Sequence, residues 1–403
     1  MNDAWPTTTI GQSCTTTSGG TPSKQIEHYW QGEIPWVSAK DLKFDQISSA
    51  AMHISRAALE QSATKLAPVG SLLILVRGMG LANGVPIGEV VAPVAFNQDL
   101  RAIHPPSTLL PRFLLLALRK SLLTGGTKDV LSAAAHGTLK IDADALSRIA
   151  FPVPPLAEQH RIVAILDEAF AGIATAKANA EKNLRNFREL ADAQGEANFN
   201  QHTDGSFAPR PLADLCELIV DCEHKTAPTQ EHGFPSIRTP NIGKGKLLLT
   251  GVNLVSEATY AQWTRRAVPL PGDLILAREA PAGNVAVIPA GVQVCLGQRT
   301  VLIRPRRDEI ESEYLAHLLL QRSSQRRLLA HSRGATVQHI NVKDIRAFMI
   351  EAVPSLPAQR HVVEKLSEIY QLCESLEDVQ RRKLAALDEL KKSLLHQAFS
   401  GAL

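Results

Sequence analysis

The sequence of 403 residues contains no apolar run of the length needed to cross a membrane. Its longest apolar stretches, such as Ser71–Val76 and Phe113–Leu118, are far shorter than the roughly 20 residues that a membrane-spanning helix requires. The first ten residues, MNDAWPTTTI, lack the basic segment and the apolar core of a secretory signal. We therefore expect a cytoplasmic protein with no membrane partner.

Cysteine is scarce, with five residues at irregular spacings. An odd number without a regular pattern favours reduced thiols over a disulfide framework, and most of these cysteines are expected to be packing residues. Cys216, Cys222 and His224 are close in sequence, but their spacing matches no standard zinc pattern and the first half of the chain has no counterpart. We therefore predict neither a bound metal nor any other cofactor.

Motifs that carry catalysis are also absent. The segment around Gly243 lacks the first glycine and the Ser or Thr of a phosphate-binding loop. In Gly78–Gly84 the last glycine is displaced by one position from a dinucleotide-binding fingerprint. The sequence has neither the Asn-Pro-Pro-Tyr tetrapeptide of adenine methyltransferases nor an evident acidic cluster for a metal-dependent nuclease. We predict a protein that is not an enzyme, so that any chemistry is supplied by partners.

The net charge of +3 is small, but its distribution along the chain is uneven. Residues 1–150 carry 13 basic and 11 acidic side chains, and residues 205–350 carry 18 and 13. Residues 151–204 and 351–403 are mildly acidic, with 5 basic against 8 acidic side chains and 7 against 8. This distribution is expected if the two basic blocks face a polyanion, although random scatter explains the first block equally well.

The chain contains two copies of one unit, offset by about 200 residues. A helix-start segment, PPLAEQHRIVAIL at Pro154–Leu166, recurs as PSLPAQRHVVEKL at Pro354–Leu366. Such a repeat predicts two similar structural units in tandem. Three further pairs of segments match in the same order: Ile34–Leu42 with Phe234–Ile242, Gly70–Gly78 with Gly272–Glu279, and His136–Leu146 with Arg333–Ile345.

Within each copy the hydrophobic period changes once. Short β-rich runs separated by Gly and Pro predict a small sheet, and apolar stretches at Phe113–Leu123 and Tyr314–Leu320 predict helices beside it. After each repeated Pro-x-Leu segment, apolar residues recur at steps of three and four, which predicts a long amphipathic helix. The first of these, from Pro155 to Phe199, would be about 65 Å long at 1.5 Å per residue.

We therefore predict an α+β fold in which each sheet-containing block is followed by a long helix. Because each long helix has one apolar seam, we expect the two helices to form an antiparallel coiled coil with pseudo-two-fold symmetry. The repeated Gln159 and Gln359 are interpreted as parts of a stable helix start. The expected segments are a first block at 1–150, a first spacer helix at 151–204, a second block at 205–350, and a second spacer helix with the C-terminal tail at 351–403.

Several motifs in this order resemble the specificity subunit of type I restriction–modification systems. They are the duplicated block and helix, the PLAEQ helix opening, the GTLK and GATVQHI stretches before the two helices, PGDLILAR within the block, and the closing LLHQAFSGAL. The resemblance covers almost the whole chain. It implies two target-recognition domains that each read one half of a split sequence in double-stranded DNA and are held apart by conserved helices.

The same resemblance implies the partners. Two methyltransferase subunits would dock on the conserved helices, and restriction subunits that cleave and translocate DNA would join the full complex. Adenine methylation and restriction would then be directed to the site by this chain. A different class of function remains open, in which the chain is a two-headed protein-interaction adaptor with a coiled-coil spacer. Steeply salt-dependent retention on DNA would separate the two, because phosphate neutralisation imposes such a slope.

Bases are read chiefly by Arg or Lys on guanine and by Asn or Gln on adenine, whereas phosphate contacts only set position. We selected polar residues in loops at matching places of the two copies, together with the basic segment Arg322–Gly334, which is expected to face phosphate. A phosphate contact or a hydrogen bond within the loop remains open for each. The two copies differ at nearly all these positions, which predicts an asymmetric target. The candidates are Ser38, Lys40, Arg77, Asn97, Gln98, Arg238, Asn241, Arg278, Gln298, Arg299, Arg326 and Arg327.

Overall fold

The residues of the chain separate into two compact units. The first unit is Met1–Ala180 together with Arg382–Leu403, and the second is Glu181–Arg381. None of the described helices is sufficiently long and apolar to span a membrane. The computed structural model describes residues 5–122, 131–133, 138–200, 208–330 and 339–403.

The first unit contains thirteen described strands. They are β1 (Thr7–Thr9), β2 (Thr15–Ser18), β3 (Ile34–Val37), β4 (Gln46–Ile47), β5 (Met52–Ile54), β6 (Lys65–Ala67), β7 (Leu72–Leu75), β8 (Ile87–Val90), β9 (Val94–Phe96), β10 (Leu100–His104), β11 (Leu131–Ala133), β12 (Leu139–Ile141) and β13 (Ala150–Pro152). They form a five-stranded sheet in the order β2-β10-β7-β8-β4, a four-stranded sheet in the order β5-β3-β9-β6, and the pairs β1-β13 and β11-β12.

The core of the first unit is formed where a helix packs on the five-stranded sheet. Strand β7 and the apolar residues Phe113–Leu118 are at most 1% exposed, so both of these short apolar runs are buried on all sides. The predicted helix at Phe113–Leu123 is confirmed from Pro111 to Ser121, and Leu123 lies outside the described residues. The described α-helices that begin in this unit are α1 (Ile10–Ser13), α2 (Arg56–Gln61), α3 (Pro111–Ser121), α4 (Ala143–Ser147) and α5 (Leu156–Asn200).

The second unit repeats this strand order. Its strands are β14 (Arg210–Pro211), β15 (Cys216–Asp221), β16 (Phe234–Ile237), β17 (Gly245–Lys246), β18 (Leu254–Val255), β19 (Leu274–Ala277), β20 (Val285–Val287), β21 (Cys295–Leu296), β22 (Thr300–Pro305) and β23 (Met349–Ile350). The sheets run β15-β22-β19-β20-β17 and β18-β16-β21, with β14-β23 as a pair. Each order matches that of the first unit strand by strand, although β6 and the β11-β12 pair have no counterpart among the described strands of the second unit. The predicted repeat is confirmed.

The second unit also contains the start of the other long helix. Its helices are α6 (Glu257–Trp263), α7 (Ser312–Leu320), α8 (Arg322–Ala330), α9 (Val342–Arg346) and α10 (Leu356–Phe399). Helix α7 confirms the helix predicted at Tyr314–Leu320. Helix α5 has 45 residues and α10 has 44, which confirms the two long helices. The first 25 residues of α5 lie in the first unit, and its remainder lies in the second.

Each long helix is fastened to its own block by one buried glutamine. The side chain of Gln159 is fully buried; its Oε1 accepts from Leu110 N at 2.9 Å, and its Nε2 donates to the carbonyls of Thr108 and Pro154 at 3.1 and 2.9 Å. Leu110 immediately precedes α3. The amide therefore joins the start of α5 to the start of the helix that closes the core.

Gln359 makes the same three hydrogen bonds in the second unit. Its Oε1 accepts from Glu311 N at 2.8 Å, and its Nε2 donates to the carbonyls of Glu309 and Pro354 at 2.9 and 2.7 Å. Glu311 immediately precedes α7. The sequence alone suggested only that the two glutamines belong to a stable helix start. In the structure each also bonds to a segment about 50 residues earlier in the chain.

The helices α5 and α10 pair antiparallel in the first unit. Arg161, near the start of α5, donates to the carbonyl of Leu403 at 2.9 Å. Further along α5, Lys391 of α10 lies over the ring of Phe170 at 4.9 Å, and Lys177 pairs with Asp388. The partners in the C-terminal segment move backwards as α5 advances, which defines an antiparallel arrangement.

The second unit holds the same antiparallel pair, built on a different ion pair. Arg188 of α5 pairs with the buried Glu377 of α10 at 2.5 Å, and Arg381 pairs with Glu377 as well. The hydrogen bond from Arg188 holds the pKa of the Glu377 carboxyl below its ordinary value of 4.5. Near Gly195 the helices are so close that a Cβ there would lie 3.4 Å from Leu366.

We predict that replacing Gln359 destabilises the protein far more than replacing an exposed glutamine of the same helix. The substitution Gln359→Ala leaves the N–H of Glu311 and two carbonyls without this partner, so the free energy of unfolding should fall by about 2–4 kcal/mol. The control Gln371→Ala changes an exposed side chain of α10 and should have an effect of about 0.5 kcal/mol or less. Denaturant unfolding measures both, and equal effects would contradict a fastening role.

Candidate nucleic-acid interface

In each unit a pair of parallel strands brings separate loops together. β3 and β9 are parallel with Val37 opposite Phe96, and Asn97 N donates to the Val37 carbonyl at 3.0 Å. Parallel strands end at the same edge, so the loops that follow them are neighbours. We call residues 38–41 and 97–99 the first strand-end cluster.

The second unit has the same construction. β16 and β21 are parallel with Ile237 opposite Leu296, and Gly297 N donates to the Ile237 carbonyl at 2.7 Å. We call residues 238–241 and 297–299 the second strand-end cluster. The structure thus brings together Ser38, Lys40, Asn97 and Gln98 in one unit and Arg238, Asn241, Gln298 and Arg299 in the other.

A third loop completes each cluster. In the first unit, the indole N–H of Trp36 donates to the Gly20 carbonyl at 3.0 Å, and the Thr21 hydroxyl donates to the Gln98 side chain. In the second, Nε2 of Gln298 donates to the His224 carbonyl at 3.2 Å. Gln98 and Gln298 are therefore matched in position and in use, since each tethers the third loop.

Several candidates maintain their own loop. Oδ2 of Asp41 accepts from both the backbone N–H and the hydroxyl of Ser38 at 2.8 Å, and Oδ1 of Asn241 accepts from Arg238 N at 3.0 Å in the equivalent turn. Asn97, only 7% exposed, bonds to Asp99 through both ends of its amide at 3.2 Å. The sequence did not identify Asp41 and Asp99 as partners of these residues.

Four other candidates, three in the clusters and one just after β7, carry exposed positive charges. Lys40 and Arg238 are exposed, as is Arg77, which follows β7. Arg299 is exposed too, and its Nε lies 2.8 Å from a carboxylate oxygen of Glu279. All four of these side chains therefore expose positive charge to solvent.

Arg278 occupies a different environment from the other candidates. It is 8% exposed, and its Nη1 lies 2.9 Å from both carboxylate oxygens of Asp221. Its Nε donates to the Ile340 carbonyl at 2.9 Å, and its Nη2 lies 2.8 Å from Nε2 of His339. The side chain therefore serves the interior of the unit.

The strand register corrects the matching of Arg77 with Arg278. Leu75 lies opposite Leu100 in the first unit, and Ala277 lies opposite Thr300 in the second. The residue after each strand is then Val76 or Arg278, and Arg77 corresponds to Glu279. A shift of one residue reverses the side of the strand on which a side chain lies, which explains why one arginine is exposed and the other buried.

The basic segment after α7 is only partly described. Arg326 is exposed, whereas Arg327 pairs with Glu351 at 2.6 Å and lies 4.8 Å from the ring of Phe348. Residues 331–334 of the predicted phosphate-facing segment lie outside the described residues, as do parts of the GTLK and GATVQHI stretches. For Arg326 and Arg327 the phosphate role stays a prediction.

Cys216, at the start of β15, and Cys222, just after its end, are buried thiols. Burial raises the pKa of Cys216 to about 12 and also raises that of Cys222. His224 lies 3.2 Å from Asp221, close to the cluster. In the part of the chain that the structure describes, no group of three or more potential ligands is arranged to hold a metal ion.

The chain belongs to a known family of DNA-specificity proteins. A family model described as the type I restriction modification DNA specificity domain matches it twice, at residues 2–184 and 207–385. The two matches coincide with the two copies of the repeat. The resemblance noted from the motifs is thereby confirmed.

Individual relatives agree with this assignment. The specificity subunit of the type I restriction enzyme EcoR124I/EcoR124II of Escherichia coli is 34% identical over 164 residues, which is 40% of this chain and 39% of that relative. The MjaVIII specificity subunit of Methanocaldococcus jannaschii is 20% identical over 417 residues, covering 99% of this chain and 93% of the relative. The stronger of these two matches thus spans about two fifths of either protein.

Solved structures share the fold along the whole chain. A chain from a study of complex assembly and conformational transition of the type I R-M system superposes with a TM-score of 0.74 at 19% identity, covering 100% of this chain and 99% of that chain. The HsdS subunit of Thermoanaerobacter tengcongensis gives a TM-score of 0.56 at 18% identity, with coverages of 100% and 98%. These similarities show the fold of two tandem domains with long paired helices.

We predict very unequal stability effects for the two arginines that the sequence matched. Arg278→Ala removes the ion pair with Asp221 and the hydrogen bond to the Ile340 carbonyl, so it should lower the free energy of unfolding by about 2–4 kcal/mol. Arg77→Ala removes an exposed side chain and should change it by about 0.5 kcal/mol or less. Denaturant unfolding of the two variants tests this, and a large loss with Arg77→Ala would contradict the register.

Proposed function

We propose that this chain is the DNA-specificity subunit of a type I restriction–modification system and that each unit reads one half of a split, asymmetric site. The observation that carries the proposal is the pair of strand-end clusters, built on the same parallel strands but lined by different side chains. Ser38, Asn97 and Asp99 in one unit correspond to Arg238, Gly297 and Arg299 in the other. Two equal scaffolds with unlike surfaces suit two different half-sites.

The target-recognition domains in this proposal are residues 1–150 and 205–350, and residues 151–204 and 351–403 are the conserved spacer helices with the C-terminal tail. The excess of basic side chains in 205–350 supports a role facing DNA. Two methyltransferase subunits docked on the spacer helices would methylate adenine, and restriction subunits would join the complex for cleavage. The chain itself would contribute recognition and no catalysis, in the cytoplasm.

All twelve candidate residues remain proposals for contact with DNA, but they divide by role. Lys40, Arg77, Arg238, Arg299 and Arg326 are exposed and suited to phosphate or base contact. Ser38, Asn97, Gln98, Asn241 and Gln298 would act mainly by holding the loops in shape, since their polar groups bond to those loops. Arg278 would act from within the fold, and Arg327 is engaged with Glu351.

A map of methylated adenines tests the proposal. The genome of the host is compared with and without the gene for this chain, using long-read sequencing. We expect one split and asymmetric motif to lose its methylation when the gene is deleted. Identical maps would favour the adaptor, which predicts that retention of the purified chain on DNA does not fall steeply with salt.

The length of the paired helices should set the gap between the half-sites. We predict that inserting seven residues into both helices, after Ala180 and after Arg381, lengthens the gap by about three base pairs, since seven residues add about 10.5 Å and preserve the heptad seam. The methylation map gives the gap directly. Seven residues added after Leu403 are the control and should change nothing. An altered half-site with an unchanged gap would contradict the spacer role.

A further inference from the structure

Arg299, in the second strand-end cluster, has an unusual backbone conformation. Its φ is +67°, and it is the one non-glycine residue with positive φ in the described part of the chain. A bulky side chain in this region is strained and persists only where its surroundings hold it, which is typical of functional loops. The side chain is nevertheless 61% exposed, so the constraint does not serve to bury it.

The carboxylate of Glu279 contacts the side chain of Arg299. Oε2 of Glu279 lies 2.8 Å from Nε of Arg299, and Oε1 of Glu279 lies 2.8 Å from Nδ1 of His339. Nε2 of His339 lies 2.8 Å from Nη2 of Arg278. Because a guanidinium has only donors, this Nε2 accepts, and the ring carries its proton on Nδ1 and donates it to Glu279. Both carboxylate oxygens are thus occupied, and Glu279 has a fixed orientation.

The chain of contacts ends in the buried part of the sheet. Arg278 is held by both oxygens of Asp221 at 2.9 Å and by the Ile340 carbonyl at 2.9 Å. Its backbone N–H also donates to the carbonyl of Arg299 itself at 2.8 Å. The exposed arginine is therefore oriented by four residues in sequence of contact: Glu279, His339, Arg278 and Asp221.

We propose that Arg299 reads a guanine in the half-site of the second unit. Because Glu279 engages the Nε of the guanidinium, its two terminal nitrogens remain available as the planar fork that matches O6 and N7 of guanine. Contact with a phosphate needs no such fixed fork, since it sets position and carries no sequence information. Glu279 and Arg278 are positioning residues in this arrangement. The inference rests on the proposed function and adds the base that is read.

The first unit lacks this arrangement at every equivalent position. The strand registers place Ser18, Val76, Arg77 and Asp99 where the second unit has Asp221, Arg278, Glu279 and Arg299. At the last two positions the charges are reversed, because Arg77 corresponds to Glu279 and Asp99 corresponds to Arg299. The contacts that orient Arg299 therefore belong to the second unit, and the guanine that Arg299 reads lies in one half of the target.

The experiment replaces the chromosomal gene by variants of the full chain and maps adenine methylation in each strain. With Arg299→Lys, which keeps the charge but loses the fork, we expect the preference for guanine at one position of one half-site to fall by about tenfold or more. Glu279→Gln should relax the same position to a smaller extent. All other positions of the motif should be unchanged in both variants.

Arg304→Lys is the matched control. Arg304 pairs with the fully buried Asp273, 2.7 Å away at the opposite end of β19, so this variant disturbs a comparable ion pair away from the strand-end cluster. Its motif should be that of the wild type. A role of Arg299 in folding alone would lower the amount of soluble chain, which is measured in every strain.

Three outcomes would overturn the inference. The motif could stay intact with Arg299→Lys while Arg299→Ala lowers methylation at all sites alike, which is the behaviour of a phosphate contact. Relaxation could spread over several positions, which would indicate a collapsed loop. Methylation could also be lost at every site with Arg299→Lys while soluble chain is maintained. A wild-type strain without a split motif would instead refute the proposed function itself.

Discussion

One buried amide at the start of each long helix is the interaction on which the architecture depends. Gln159 and Gln359 each bond to three backbone groups, one of which precedes the helix that closes the core of its unit. A glutamine side chain suits this place because it offers both a donor and an acceptor beyond a flexible stem. Since both bonds to the earlier loop come from one planar group, the direction of the long helix is tied to the block that precedes it.

The two units show how a fixed frame can carry different surfaces. Strand order, the parallel strand pair and the glutamine joint are common to both, whereas the residues after the strands differ. Asn97 N and Gly297 N bond to backbone carbonyls of the neighbouring parallel strand, Val37 and Ile237. These bonds involve no side chain, so the side chains of the loops can change while the fold is kept. This separation lets two unlike clusters share one fold.

The long helices and the central strands were predictable because each depends on a local apolar period, and the repeat was predictable because similar segments recur about 200 residues apart. The helix starts were also predictable, but two of the three bonds of Gln159 were not, since they join residues about 50 positions apart. The arrangement of the candidate site was harder to predict from the sequence. Matching Arg77 with Arg278 failed by one residue, because alignment of similar letters carries no information on which side of a strand each residue lies. The neighbours Asp221, Glu279 and His339 became evident only from the fold.

The ion pairs at the two ends of β19 indicate what the buried charge at Arg278 achieves. Asp273, at one end, accepts from Leu270 N and from Arg304, so its charge closes a turn. At the other end, Arg278 pairs with Asp221 and is linked through His339 and Glu279 to the exposed side chain of Arg299. Burying two charges costs desolvation free energy that their attraction often only balances, so stability alone explains such a pair poorly. An apolar pair in the same place could not orient His339, Glu279 and Arg299, and this orientation is what the buried charge of Arg278 provides.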